Sequence, residues 1–203
     1  MLPGPAPREF PVPQGVRSSV TLYELALLQR FAHEAGTVLE IGTHFGFTCI
    51  GMALAGAHVT SVDPHYEGPA DAPDTWEPFL RNVERHELPM AGTRHAELVA
   101  LYADGRGVVE PYRDISENID HYRMGAEIRS WGMVFIDGDH VWPRPWHDVV
   151  IAKRHLAASG YIALHDVTPD WPGVFRAAKQ LEQQGWPEVG RAGTLRVYQR
   201  PIR

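Results

Sequence analysis

From residue 20 onward the chain alternates short apolar runs with amphipathic stretches. Val20, Tyr23, Leu27, Leu28 and Phe31 recur at helical spacing. They follow Thr21-Leu22-Tyr23-Glu24, which resembles a capping box, so a first helix ending near Gly36 is predicted. Thr37–Ile41 then reads as a buried strand, Phe47–Ala55 as a helix and His58–Val62 as a second strand. Further on, the pattern predicts a helix around Trp76–His86, a faintly marked third strand at Gly107–Pro111 and a helix over Ser116–Arg129. A clear strand at Trp131–Ile136 precedes a helix over Trp146–Ala157, with Val149, Val150 and Leu156 turned inward. A strand at Tyr161–Leu164, a helix marked by Val174, Phe175, Ala178 and Leu181, and a last strand at Leu195–Tyr198 complete the series. Strands alternating with helices predict an α/β architecture: a doubly wound, mostly parallel sheet with helices on both faces.

Pro3, Pro5, Pro7, Pro11 and Pro13 forbid regular structure near the N-terminus. Residues 1–17 are therefore expected to form an extended arm, and 18–203 a single domain. Pro64, Pro69, Pro73, Pro78 and Pro89 mark an insertion at about 64–105. Arm and insertion are natural covers for an active site, and the arm could reach across a homodimer. A chain of 203 residues is long enough to bury a real core. Its net charge of −6 argues against nucleic acid as a partner. The lone Cys49 excludes an internal disulfide and any cysteine-rich metal site. With no secretory pattern and no apolar run long enough for a bilayer, a cytoplasmic protein without a membrane partner is expected.

Two constellations carry chemistry. The first is Glu40-Ile41-Gly42-Thr43-His44-Phe45-Gly46 at the end of the first strand, with Asp63 ending the second. In such sheets ligands bind outside the carboxyl ends of the strands. Glycines at 42 and 46 let backbone come close to a ligand. An acid about twenty residues further on can accept ribose hydroxyls. The spacing is G-x-x-x-G rather than the dinucleotide G-x-G-x-x-G, and bulky residues at 43–45 hinder close approach of a pyrophosphate. The segment resembles motif I of class I S-adenosylmethionine-dependent methyltransferases, in the E-x-G-x-x-x-G variant of catechol-type O-methyltransferases. The resemblance implies a Rossmann-like methyltransferase fold with S-adenosyl-L-methionine as cofactor. Glu40, Gly42, Thr43 and Gly46 would line its methionine part and Asp63 would hold its ribose. Adenine would lie near Arg113, Asp114 and Ile115.

The second constellation is Phe135-Ile136-Asp137-Gly138-Asp139-His140, paired with Leu164-His165-Asp166. Both follow apolar strands and should project at the same sheet edge as the cofactor. Two acids and two histidines brought together there are costly unless something binds them. Oxygen ligands suit Mg²⁺, while an added imidazole shifts the preference toward Mn²⁺ or another transition metal. Methyl transfer to oxygen needs a deprotonated hydroxyl, which a divalent cation or a histidine base can supply. Asp137 and Asp166 are the candidate ligands, His140 is the candidate base, and His165 is a third ligand or second base. The run I-D-G-D-H, the strand ending in H-D, and Pro172-Gly173-Val174 resemble metal-dependent macrolide-sugar O-methyltransferases and the cephalosporin hydroxylase-like group. There, an acid matching Asp137 and an acidic pair matching His165-Asp166 hold the metal, and a histidine matching His140 is the base. The first member of the pair is here a histidine.

Trp142, Trp146 and Trp171 follow these strand ends, and Trp76 lies in the insertion. Tryptophans at such an edge stack on sugars or flat rings, or else pack in the core. The expected function is O-methylation of a small-molecule hydroxyl, on a sugar or natural-product-like acceptor. The alternatives are a catalytically silent nucleoside-binding module and an NAD-dependent oxidoreductase.

Overall fold

The computed structural model describes residues 9–66, 74–90, 107–121 and 130–202. The elements run α1 (Leu22–Ala35), β1 (Thr37–Ile41), α2 (Phe47–Leu54), β2 (His58–Asp63), α3 (Trp76–Arg85) and β3 (Val108–Arg113). A 3-10 helix (Ser116–His121), β4 (Trp131–Ile136), α4 (Arg144–His155), β5 (Leu156–Leu164), α5 (Pro172–Gln183), β6 (Glu188–Ala192) and β7 (Leu195–Gln199) follow. The strands form one seven-stranded sheet in the order β3-β2-β1-β4-β5-β7-β6. The first five are parallel, and β7 pairs antiparallel with β5 and with β6. The expected doubly wound, mostly parallel sheet is therefore what forms. No described helix is long and apolar enough to cross a membrane.

Alternate residues of each strand feed two cores. Val38, Val59, Met133, Phe135 and Ala163 pack with α1, α2 and α3 through Leu28, Phe31, Ile50, Met52, Phe79 and Val83. Leu39, Ile41, Val62, Val134, Ile136 and Leu164 pack on the other face with Val149, Ala152, Val174, Ala178 and Leu181 of α4 and α5. Burial of each large side chain stabilises the fold by roughly 1.5–3 kcal/mol. The register pairs Ile41 with Val62 and Ile136, and Ile136 with Leu164. The strands thus end level, and the residues just beyond them share one rim.

Several boundaries differ from the sequence expectation. Tyr23 is 84% exposed, because the buried stripe of α1 runs through Glu24, Leu25 and Leu28 instead. The helix expected to reach Ala157 stops at His155, since Leu156 already pairs with Trp131 in the sheet; Val150 faces outward. The third strand extends to Arg113 by pairing with Asp63. The helix expected over Ser116–Arg129 is a 3-10 helix to His121, and 122–129 lie outside the described residues. The edge strand β6 was not anticipated. Residues 9–17 of the expected arm hold no helix or strand. Of the expected 64–105 insertion only 64–66 and 74–90 are described.

Candidate active site

The rim of level strand ends borders a cleft of about 700 Å³. It runs from Gly42, Thr43 and Asp63, past Asp114–Glu117, to Asp137, His140 and Asp166; residues Arg17–Val20 form part of one wall.

The glycine loop is built from within. Glu40 is fully buried on the α2 face of β1, where Thr43 Oγ1 and Thr48 Oγ1 donate to its two carboxylate oxygens at 2.8 and 2.6 Å. Burial pushes its carboxyl up to about 8, against the pull of those two hydrogen bonds, so the acid is largely protonated at neutral pH. Glu40 thus lies beneath the loop, outside the cleft lining, and pegs Thr43 in place. Gly42 has φ +91°, and a Cβ there would strike the Asp137 carbonyl. Its bare backbone lets the β1 and β4 turns lie against each other, with Asp137 N–H donating to Ile41 O at 2.8 Å. Gly46, at φ +88°, is the N-cap of α2 and lies against Phe79 rather than in the cleft lining.

Asp63 closes the loop electrostatically. Its Oδ2 accepts the N–H of Thr43 and of His44 at 2.7 and 2.8 Å, and its Oδ1 accepts the N–H of His65 at 2.5 Å. A carboxylate offers about four acceptor positions. Three are taken within the described residues, which leaves room for one ribose hydroxyl rather than two. Asp114 borders the cleft as expected, but its Oδ1 accepts Ile115 N–H and Asn118 Nδ2 at 2.7 and 2.8 Å and so holds the 3-10 helix.

The second constellation converges. His140 Nε2 lies 3.2 Å from Asp166 Oδ2 and 4.0 Å from Asp137 Oδ1. His165, 3% exposed, sits behind the two acids, its Nδ1 3.1 Å from Asp137 Oδ1 and 3.5 Å from Asp166 Oδ2. Burial disfavours its charge, but the hydrogen bonds and charges of Asp137 and Asp166 outweigh that and push its pKa up to about 10. Asp166 is held well below the usual carboxylate range by its hydrogen bonds to His140 and His165. Its backbone lies in the left-handed region, at φ +56°, the kind of strain that gathers at functional sites.

Two contributors were not foreseen. Glu24 of α1 is buried, and its Oε1 lies 3.6 Å from His165 Nε2, within ion-pair reach but too far for a hydrogen bond. Burial would raise its pKa, but donors from Thr21 and Thr194 outweigh this and lower it to about 2. Thr194, in the turn between β6 and β7, donates to Glu24 through its N–H at 2.8 Å, while its Oγ1 lies 3.0 Å from Glu24 and 3.3 Å from Asp166. The capping box was legible in the sequence, but the use of its free carboxylate oxygen was not.

A single ion could reach Asp137, His140 and Asp166, whose ligand atoms lie within 4.8 Å of one another. His165 is not in that set; its Nδ1 lies 3.1 Å from Asp137 Oδ1. The two acids and two histidines therefore offset one another's burial directly. Trp171, 46% exposed, lies over His140 with ring centres 4.5 Å apart. Trp142 stacks on Arg176, and Trp186 is buried core.

A family model described as a methyltransferase domain matches residues 39–167. No curated protein matches the chain in sequence. Among solved structures, the cofactor-bound Rv0187 from MTB superposes with a TM-score of 0.63 at 18% identity, covering 93% of this chain and 83% of that one. The O-methyltransferase TomG from Streptomyces achromogenes, involved in tomaymycin synthesis and solved with S-adenosylmethionine, gives 0.63 at 16% identity over 90% and 82%. CalS11, a TDP-rhamnose 3'-O-methyltransferase of calicheamicin biosynthesis, gives 0.59 at 17% identity over 86% and 76%. At these identities the likeness is one of fold.

Proposed function

The chain belongs to the methyltransferase-domain family, and we propose that it methylates a hydroxyl oxygen of a small sugar or natural-product-like acceptor, using S-adenosylmethionine and a divalent metal. The reading rests on one observation: a single cleft joins the Gly42–Asp63 loop to the cluster of Asp137, His140 and Asp166. When bound, S-adenosylmethionine supplies an electrophilic methyl group that passes to the acceptor oxygen and leaves a thioether. The Gly42–Phe45 loop that borders the cleft and the remaining acceptor position of Asp63 fit its methionine and ribose parts. The fold neighbours TomG and CalS11, by their descriptions, serve natural-product synthesis. The exposed face of Trp171 beside His140 suits a flat or glycosidic acceptor.

In the transfer, His140 takes the proton of the acceptor hydroxyl as the C–O bond forms. Asp166, 3.2 Å from its Nε2, orients the ring and stabilises the imidazolium that results. A metal held by Asp137 and Asp166 would lower the pKa of the acceptor hydroxyl. Mg²⁺ fits these oxygens when His140 stays free as base, whereas Mn²⁺ or another transition metal fits if His140 is itself a ligand.

One observation favours a second, metal-free reading. His165 already places a buried positive charge between the two acids. Activity after exhaustive chelation with EDTA separates the readings: abolition, restored by Mg²⁺ or Mn²⁺, supports the metal, and undiminished turnover removes it. The cofactor assignment is tested by calorimetry. Binding of S-adenosylhomocysteine and none of NAD(H) is expected; the reverse would identify an oxidoreductase. Tight cofactor binding without transfer to any of a broad acceptor panel would identify a silent binding module.

A further inference from the structure

We propose that Thr194 is a positioning residue for the base: its hydroxyl donates to Asp166 Oδ1 and so holds the carboxylate with Oδ2 against His140 Nε2, an inference that rests on the His140 reading above. Asp166 divides its two oxygens between partners. Oδ2 lies 3.2 Å from His140 Nε2 and 3.5 Å from His165 Nδ1, while Oδ1 lies 3.3 Å from Thr194 Oγ1. A carboxylate held by one oxygen can turn about its Cβ–Cγ bond, where the torsional wells are broad. A donor on the second oxygen fixes its plane. The consequence reaches the imidazole. In a neutral histidine the hydrogen bond made by one ring nitrogen decides which nitrogen carries the proton. An ionised carboxylate only accepts, so Asp166 Oδ2 selects the N–H at Nε2 and leaves the lone pair at Nδ1 to take the proton of the acceptor hydroxyl.

Sheet register brings Thr194 to this place. Strand β7 runs antiparallel to β5 with Leu164 opposite Arg196, and the same register carried past the strand ends sets Thr194 opposite Asp166. Val167 N–H donates to the Thr194 carbonyl at 3.0 Å and ties the two turns together. Gly193, at φ +48°, lets the β6–β7 turn come close to α1, since a Cβ there would lie 2.5 Å from Glu24 Oε1. The Thr194 hydroxyl faces two acids, Glu24 Oε1 at 3.0 Å and Asp166 Oδ1 at 3.3 Å, but it carries one proton. Glu24 can spare that proton. Its oxygens also accept the Thr21 N–H, the Thr21 hydroxyl and the Thr194 N–H, each at 2.8 Å. The hydroxyl is therefore available to Asp166, whose side-chain angle sets the base.

Nitrogen NMR of the histidine rings, recorded after chelation and with the His140 ring uncharged, tests this role. The His140 signals are identified by their loss in His140→Gln. The unaltered protein should show His140 mainly in the Nε2–H form. In Thr194→Val, which keeps the backbone contacts to Glu24 and Val167, the ratio of Nε2–H to Nδ1–H should fall by about threefold to tenfold. Thr194→Ser, which restores the hydroxyl, should return the ratio to that of the unaltered protein. Thr194→Ala replaces the valine variant if that protein does not fold. A dominant Nδ1–H form in the unaltered protein would overturn the proposal before any variant is made. An unchanged ratio in Thr194→Val would overturn it too, as would a serine protein that behaves like the valine one, because packing rather than the hydroxyl would then be at work. The spectra need neither cofactor nor acceptor. Failure of the unaltered protein to bind S-adenosylhomocysteine would remove the methyltransferase reading, whereas the tautomer ratio still decides whether Thr194 sets the His140 ring.

Discussion

The two ends of the cleft are held together in opposite ways. Around the glycine loop, polar groups are satisfied by short hydrogen bonds between the loop and the elements beside it: Thr43 and Thr48 on Glu40, and three backbone N–H groups on Asp63. Around His140 the groups are charges balanced against charges. His165 Nε2 has no hydrogen-bond partner among the described residues, and Asp166 has a left-handed backbone. The loop is a preformed mould whose shape needs no ligand. The opposite end is an electrostatic balance that an incoming proton, metal or acceptor can tip. A mould gives affinity, and a balance gives chemistry.

The largest expected effect separates those two roles. His140→Ala should lower turnover by about 10²- to 10⁴-fold and leave S-adenosylhomocysteine affinity near normal, as measured by steady-state kinetics and calorimetry. Retained turnover would remove the base assignment. Next is His165→Gln, which takes the buried cation from between two acids. A loss of about 3–5 kcal/mol is expected in urea unfolding at pH 6. The pH dependence has a definite sign. The folded pKa of His165, about 10, lies above its ordinary value of 6.5. Its stabilisation is therefore complete below about pH 6.5 and fades as pH rises through 10. The variant should lack that decline, and a parallel pH profile in both proteins would show that His165 is not charged.

Gly42→Ala attacks the seam between the two ends. A methyl group at φ +91° against the Asp137 carbonyl should cost about 1–3 kcal/mol and lower both cofactor affinity and turnover. A change confined to affinity would mean that the two turns move independently. The smallest effect is expected from Glu40→Gln. The folded pKa of Glu40, about 8, lies above its ordinary 4.5, so wild-type stability should fall as pH rises from about 4.5 through 8. The glutamine protein should be flatter over that range in thermal melts. A fall equal to that of wild type would show that the buried acid is not its source.

The same contrast explains what the sequence made legible. The loop and strands β1, β2, β4 and β5 are local: apolar runs ending in glycine and acid announce themselves, and Asp137, His140 and Asp166 follow as strand-end residues. β6 was hidden because Glu188-Val189-Gly190-Arg191-Ala192 is a polar edge that becomes a strand only beside β7. Tyr23 was misplaced because the helical stripe of α1 admits Glu24, a charged residue that hydrophobic patterning discards. The site reading reached too far at Glu40, where the motif marks a peg beneath the loop. It fell short at Glu24 and Thr194, which tertiary packing brings against His165 and Asp166.

Glu24 and Thr194 are 170 residues apart, and their hydrogen bonds span the chain. Glu24 is among the first site residues to leave a ribosome, and Thr194 follows every other one. Until Thr194 emerges, Glu24 lacks half its donors and Asp166 lacks one neighbour. A nascent chain that has completed the parallel sheet can therefore hold all of the glycine loop and still lack the Thr194 contacts to Glu24 and Asp166. The turn between β6 and β7 thus braces the His165 end of the cleft from a part of the chain made after the whole parallel sheet.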